Sequence, residues 1–473
     1  MEHWDHWPPA YDDEYLPDPG QPYWFPQRET MDPELRDAAL LRRIQTVMRY
    51  AAAHAPFYQR KWAAAGIGPE DIRSLGDFEQ VPVVTKEELR RAQAEHPPFG
   101  DYLCVPQSEV MRVHGTSGTT GRPTAFGVGR ADWRRIAEAH ARVMWGMGIR
   151  PGMRVFVGSV FSLYMGSWAT LAGAERIRAQ AFPFGAGVAG QTSRAVDWLL
   201  QMRPEALYGT PSYALRIAEV AEERGIDPRE FGIQILFFSG EPGASIPSIR
   251  KKIEDAFGGR VFDSGSMAEM TPWGHLSEST GHTGMLCWQD IVYTEVCDPA
   301  TKRRVPFGAE GSPVYTHLER NSQPMIRLLS GDLTRWDAAP SPCGRTYPVL
   351  PNGIYGRIDD QFTVRGENIY PSSINDIVST LAGYGGEHRI IVSREDTMDR
   401  LVVQVEHVSD LSADGDGDGV SSFRQLAKDR LRATLGVSTE VVVVPHNTFE
   451  RSDTKTHRVI DERDLFREIA GQQ

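Results

Sequence analysis

The segment Thr116-Ser-Gly-Thr-Thr-Gly-Arg122 packs four hydroxyl side chains, two glycines and one cation into a single short turn. Gly118 and Gly121 free backbone amides to converge on an anion, while Thr116, Ser117, Thr119 and Thr120 add hydroxyl donors. Arg122 offsets the charge. That is chemistry for holding a polyphosphate. It is not a Walker loop, because the G-x4-G-K-[ST] spacing fails and Pro123 stands where the hydroxyl on magnesium would be. A flexible Gly/Ser/Thr linker is the competing reading of such a composition. The flanks decide against it: Val105 to Val113 read as extended chain and Ala125 to Val128 resume it. The segment is expected to be a turn between strands.

Further motifs follow in order. They are Pro56-Phe-Tyr58, Tyr208-Gly-Thr-Pro-Ser-Tyr213, Ser239-Gly-Glu-Pro242 and Asp263 to Glu269. Ile326 to Asp332, Gly356 to Asp360, Arg365-Gly-Glu-Asn-Ile-Tyr-Pro371 and Arg451 to Val459 continue the series. With the loop, this series resembles the signatures of adenylate-forming enzymes, in the form used by the phenylacetate–CoA ligase family. It spans nearly the whole chain. The resemblance implies ATP-dependent activation of a carboxylic acid to an acyl-adenylate, with Mg²⁺, followed by thioester formation with CoA.

What it implies for single residues is specific. Thr116, Ser117, Gly118, Thr119, Thr120 and Gly121 would hold the phosphates, with Thr119 among the catalytic groups. Gly240, Glu241, Pro242, Asp263, Ser264, Asp332 and Arg357 would complete the ATP and AMP site. Glu269 would hold magnesium, directly or through water, and Asp332 would grip both ribose hydroxyls as a short acceptor. Arg357 and Asp359 resemble a hinge, and Lys455 resembles the mobile lysine that bridges carboxylate and α-phosphate during adenylation. By position, Phe161, Tyr164, Phe184, Gly185, Ala186, Gly187 and Tyr213 would line the acid pocket. Aromatic and small side chains suit a flat ring, so the expected acid is aromatic or arylacetic. Taken singly, each has an ordinary reading: an Asp in a turn, a surface ion pair, a solvated basic loop, core aromatics.

The chain also departs from the family. Gly265 and Ser266 stand where an aromatic residue followed by Gly is usual, and that aromatic normally stacks on adenine. Ala268 replaces a common hydroxyl residue, and Thr454 the usual Gly before the lysine. Phe262 and Trp273 are the candidates to meet adenine instead. His114 is read as a substrate contact or a structural histidine, and His275, His282, Cys287 and Cys297 match no zinc-ligand spacing. The acceptor is read as CoA. An amine, a carrier-protein thiol or nitrite are the alternatives, and a non-catalytic nucleotide-binding homologue is a further one.

These residues need a scaffold. With 473 residues, two or three domains are expected, and a net charge of -12 argues against a general nucleic-acid binder. Cys104, Cys287, Cys297 and Cys343 form no C-x2-C pair, the first residues lack a signal-peptide pattern, and no apolar run approaches ~20 residues. The expected setting is the cytoplasm, with small-molecule partners, no membrane, and a homodimer as one open assembly.

The expected fold class is α/β. Residues 1–30 read as a flexible arm, though Trp24 and Phe25 are placed to dock; 31–356 read as a large ATP- and acid-binding domain; 357–360 as hinge; 361–473 as a small mobile α+β domain. Asp32 and Pro33 start a helix with Leu40, Leu41, Ile44, Val47, Met48 and Ala51 on one face. Beyond Arg130, helices at Trp133–Met147, Ser193–Met202 and Ser212–Gly225 alternate with strands at Arg154–Ser159, Ala206–Gly209 and Ile233–Phe238. This alternation predicts a mostly parallel sheet with ligands at the carboxyl ends of its strands. In the small domain, strands at Arg389–Ser393, Leu401–His407 and Glu440–Pro445 and a helix at Ser422–Leu435 are expected. Asp414-Gly-Asp416-Gly-Asp418 copies the opening of a calcium loop, but its twelfth position is Gln425, which favours a solvated loop.

Overall fold

The computed structural model describes residues 6–116, 124–186, 190–241, 243–270, 274–281, 284–338, 342–357, 362–364, 367–369, 371–395, 398–408, 418–449 and 458–462. The chain divides into a large unit, Met1–Ser245 with Arg250–Ile354, and a small unit, Ile246–Ile249 with Tyr355–Gln473.

In the large unit, β1 (Val110–Gly115) and β2 (Ala125–Gly129) form the antiparallel pair that flanks the Gly/Thr loop, with Gly115 opposite Ala125. The main sheet has eight strands. Its parallel half joins β3 (Arg154–Val157), β4 (Gln180–Phe182), β5 (Ala206–Gly209), β6 (Ile235–Phe238) and β7 (Arg260–Gly265) in the order β7-β6-β5-β3-β4. The antiparallel β8 (Leu276–Ser277), β9 (Met285–Cys287) and β14 (Val349–Leu350) extend it beyond β7. The central strands β5 and β6 are wholly buried, as a parallel sheet covered on both faces requires. Helices Arg130–Gly146, Met165–Arg176, Gln191–Met202 and Pro211–Glu223 supply that cover. A second, antiparallel sheet contains β10 (Val292–Cys297), β11 (Glu310–His317), β12 (Leu328–Leu329) and β13 (Asp332–Arg335).

Along the chain β15 (Ile354–Arg357) follows, where one unit gives way to the other. The small unit pairs β16 (Phe362–Val364) with β17 (Glu367–Ile369). Its main sheet runs β20 (Glu440–Pro445), β19 (Met398–His407), β18 (Tyr384–Glu395) and β21 (Val459–Asp461), and the helices are Pro371–Ser379 and Asp418–Leu435. Ile390, Val392, Val403 and Val405 meet Phe423, Ala427 and Leu431 in its core.

The expected flexible arm is corrected over residues 6–30. Trp24 is 0% exposed, and its Nε1–H donates to Glu138 Oε1 at 2.6 Å. Glu29 accepts the Trp24 and Phe25 amides at 2.9 Å and pairs with Arg345 at 2.8 Å, while Arg28 reaches Asp290 at 2.8 Å. Burial alone would raise the Asp290 carboxyl, but Arg142 and Arg28 outweigh it and hold that group at about 2. The aromatic, acidic texture that suggests disorder is one half of a buried network whose other half lies more than a hundred residues away. No described helix is long and apolar enough to cross a membrane.

Candidate active site

The loop expected to hold phosphate is closed tightly at its base. Thr116 N–H donates to the Thr124 carbonyl at 3.1 Å, and the two threonine hydroxyls lie 3.0 Å apart. A Cβ at Gly115 would stand 2.5 Å from the Thr124 carbonyl oxygen, so only glycine permits this approach. Gln93, on helix Lys86–Glu95, grips Ala125 through both its amide groups, at 2.6 and 3.1 Å. Ser117, Gly118, Thr119, Thr120 and Gly121 lie outside the described residues, as do Gly187, Pro242, Trp273, Asp359 and Lys455. Arg357 is described as backbone of β15.

Glu269 is 2% exposed, and its Oε2 is buried with no hydrogen-bond partner among the described residues. The other oxygen, Oε1, lies 4.0 Å from Lys86 Nζ. Sequence reasoning missed Lys86. Thr85 caps its helix in a reciprocal box with Glu88, and helix first turns favour acids. A lysine at that position was the available signal.

At the carboxyl end of β7, Asp263 is clasped from several sides. Its N–H donates to Glu278 Oε2 at 2.9 Å, its carbonyl accepts Glu278 N–H at 2.9 Å, and the Ser245 hydroxyl donates to Oδ2. Burial pushes its carboxyl up to about 7, with the Ser245 bond opposing and the nearby Glu278 adding to the rise. Ser264 donates to the Phe238 carbonyl at 2.8 Å, which ties β7 to the end of β6. Gly265 is bordered by Ile354 and Met285, whose side chains a Cβ there would meet at 3.5 and 3.6 Å. Phe262 is 1% exposed within the main core, so its ring is already committed to packing.

Gly240 has φ of +89° just after β6, the conformation that a glycine takes without strain. Glu241 turns back to accept the Ser212 amide at 2.8 Å, in the first turn of helix Pro211–Glu223. Asp332 opens β13, half-buried, with its amide donated to Ser330 Oγ at 3.0 Å.

The described residues expected around the acid follow the carboxyl ends of β3, β4 and β5. Phe161 meets Trp168 edge-on at 5.0 Å, Phe184 stacks on Phe156 at 5.0 Å, and Gly185 N–H donates to the Val157 carbonyl at 3.0 Å. Ala186 is half-buried and Tyr213 is 2% exposed. Tyr164, another of the expected residues, belongs to a triangle of hydroxyls that the flat-ring reading did not anticipate. Tyr164 Oη is 3.1 Å from Tyr208 Oη and 3.3 Å from Ser239 Oγ, and Tyr208 Oη is 2.7 Å from Ser239 Oγ. Gly166 makes room for it, since a Cβ there would stand 2.4 Å from Tyr208 Oη. Tyr208 and Ser239 were legible as members of motifs, but not as partners, because one sits on β5 and the other just beyond the end of β6.

His114, at the end of β1, is pushed down to about 4 by burial. Its neutral ring therefore donates from Nδ1 to the Leu163 carbonyl at 3.2 Å and keeps a buried Nε2 with no partner among the described residues.

Asp263 near the end of β7, Gly240 just beyond β6 and the buried carboxylate of Glu269 fit the expected adenylate-forming class. A profile described as AMP-binding enzyme C-terminal domain matches residues 366–463. The phenylacetate–coenzyme A ligase of Thermus thermophilus is 31% identical over 93% of this chain and 99% of its own. That of Escherichia coli is 30% identical over 92% and 97%. The chain belongs to the phenylacetate–CoA ligase family. It is an AMP-forming acid–CoA ligase, which makes an acyl-adenylate and then a thioester, using ATP, Mg²⁺ and CoA. The acceptor left open by the sequence is thus CoA. Among solved structures, 2-hydroxyisobutyryl-CoA ligase in its postadenylation state is 59% identical, covers 100% of this chain and 99% of its own, and superposes with a TM-score of 0.94. The same ligase has also been solved with CoA in the thioesterification state.

Proposed function

We propose that the acid is a short, branched hydroxy acid of the 2-hydroxyisobutyrate kind. The observation that carries this reading is the triangle of Tyr164, Tyr208 and Ser239 hydroxyls within the expected acid pocket. Polar groups of this kind, buried at a recognition site, discriminate strongly in favour of a substrate hydroxyl. The 59% identity to a ligase of that specificity supports it. An aryl acid is the second reading, favoured by the curated relatives named for phenylacetate and by Phe161 and Phe184. The test is AMP release with ATP and a panel of 2-hydroxyisobutyrate, isobutyrate and phenylacetate, with and without CoA. The first reading expects 2-hydroxyisobutyrate to exceed isobutyrate in kcat/KM by a large factor, and Tyr164→Phe to shrink that ratio. Faster turnover of phenylacetate than of either aliphatic acid would overturn it.

The site roles follow the same reading. Thr116 to Gly121 hold the β- and γ-phosphates, Asp332 the ribose, and Gly240 to Pro242 with Asp263 and Ser264 the adenine side. Met285 and Ile354 offer the base an apolar border where the family's aromatic residue is replaced by Gly265. The buried Oε2 of Glu269, without a hydrogen-bond partner among the described residues, fits a hard oxygen ligand for Mg²⁺, which when bound neutralises phosphate charge. Lys86 adds a cation beside that carboxylate. Lys455 brings its ammonium between acid and α-phosphate in the first half-reaction. It must leave before the thiol can attack, and residues 357–360 are the proposed hinge for that movement. The separate postadenylation and thioesterification states of the 2-hydroxyisobutyryl-CoA ligase support this division of labour.

A further inference from the structure

Two buried carboxylates of the small unit have no part in the steps above. Glu387 lies on β18 and Glu406 on β19, strands that pair antiparallel with His388 opposite Val405. Tyr384 stands opposite His407, and the register shifts between that pair and His388, so both glutamates lie at an irregularity in the pairing of the two strands. Glu406 is 0% exposed and Glu387 6%. Each holds a different point of the chain. Glu406 Oε1 accepts the Phe449 amide at 2.9 Å, and its Oε2 lies 3.9 Å from His446 Nδ1. Glu387 receives Arg458 as a fork, Nε at 2.5 Å and Nη2 at 3.2 Å.

Phe449 and Arg458 are the described residues on either side of 450–457, the segment that contains Lys455. Other bonds reinforce both ends. The Ile390 amide donates to the Arg458 carbonyl at 2.7 Å, β21 runs parallel to β18 from there, and the Arg389 guanidinium sits 4.7 Å over the Phe449 ring. A buried carboxylate is costly, and an apolar residue of similar volume often serves the fold as well or better. Its particular merit is a short, directional, charge-assisted bond that fixes the atom it holds.

We infer that Glu387 and Glu406 are positioning residues for Lys455. They pin the two ends of the segment that carries it, and so limit where its ammonium is presented during adenylation. This rests on the assignment of Lys455 as the adenylation lysine. Both glutamates bond protein groups, Phe449 and Arg458. Their effect is one of placement, and a displacement of about 1 Å in a catalytic group can cost roughly 10²-fold in rate.

The experiment measures two half-reactions, acid-dependent pyrophosphate exchange and thioester formation from supplied acyl-adenylate and CoA. The variants are Glu387→Gln, Glu406→Gln, Lys455→Ala and the double variant Glu387→Gln/Lys455→Ala, each checked for folding by thermal melting. Glu387→Gln should lower exchange on the order of 10- to 100-fold and leave thioester formation at the parental rate. In the double variant, exchange should be no lower than in Lys455→Ala alone, because the glutamate acts only through the lysine. Parental exchange in folded Glu387→Gln overturns the inference. So does equal loss in both half-reactions, or a further loss in the double variant, since either marks a general structural role. Glu406→Gln should show the same selective loss, and if Glu387→Gln fails to fold, its partly exposed partner Arg458 is changed to Lys instead, with that loss again expected. If Lys455→Ala itself leaves exchange intact, the lysine assignment fails, an outcome separate from failure of the clamp alone.

Discussion

Glu269 joins near-complete burial with an oxygen that nothing in the described protein satisfies. Leaving such an acceptor bare costs roughly 1–3 kcal/mol or more for a charged group, and a bound Mg²⁺ is the proposed partner that would offset it. Glu269→Gln keeps the shape and removes the charge. The half-saturating Mg²⁺ concentration for adenylation should rise by at least the roughly tenfold that losing even an outer-shell partner causes. Unaltered Mg²⁺ dependence in a variant with parental melting temperature would remove Glu269 from the metal site. Asp263 poses a different question, because burial raises its carboxyl from 3.8 to about 7. The folded state therefore holds a proton that the unfolded chain releases. The sign follows: this group's stabilising contribution is full below pH 3.8 and is lost as pH rises through about 7. In Asp263→Asn that loss should vanish, so denaturant midpoints of parent and variant should diverge steadily between about pH 4 and 7. Parallel curves would show that the carboxyl titrates normally.

The docked N-terminal segment is anchored at Trp24. Trp24 packs at 81° against Trp145, with centroids 5.4 Å apart, and bonds Glu138. Trp24→Ala should cost about 3–5 kcal/mol of large-unit stability, with Glu138 left without one of its donors. A change under about 0.5 kcal/mol in urea unfolding would place the segment outside the cooperative unit. Elements with a strong period were legible: β5 and β20 fall at the residues expected, and helices Arg130–Gly146 and Pro211–Glu223 lie within a few residues of theirs. The second sheet was not. Every residue of β10 is buried, so no alternation marks it, and β12, like β8, β9 and β14 in the antiparallel part of the main sheet, is too short to show a period. Helix Met165–Arg176 was missed for a related reason, being small-residue and buried on most sides.

Across the whole molecule, acid sensitivity follows from histidines enclosed far from the surface. Burial depresses His140 and His275 from 6.5 to about 3, and both His275 nitrogens lack partners among the described residues. Unfolding lets each take a proton, so stability present above pH 6.5 is lost as pH falls toward 3. By pH 5 this amounts to ~2 kcal/mol per histidine, opposite in sign to the Asp263 contribution. His275→Phe should flatten the fall in melting temperature between pH 6.5 and 5. An unchanged slope would mean that His275 stays neutral for another reason or is already charged.

The sequence by itself determined the chemistry and the class. Ordered short motifs survive as strings because a phosphate loop, a turn or a capped helix is built from neighbours along the chain. It also determined the alternation of helix and strand that makes the parallel sheet. Only the tertiary structure decided which side chains distant in sequence meet: Tyr164 with Tyr208 and Ser239, Lys86 with Glu269, Glu387 with Arg458. The N-terminal segment shows the same limit, since its buried charges are intelligible only beside Asp290, Glu138 and Arg345. Pairings at long separation leave no periodic trace in one chain, because either partner alone reads as an ordinary polar or aromatic residue.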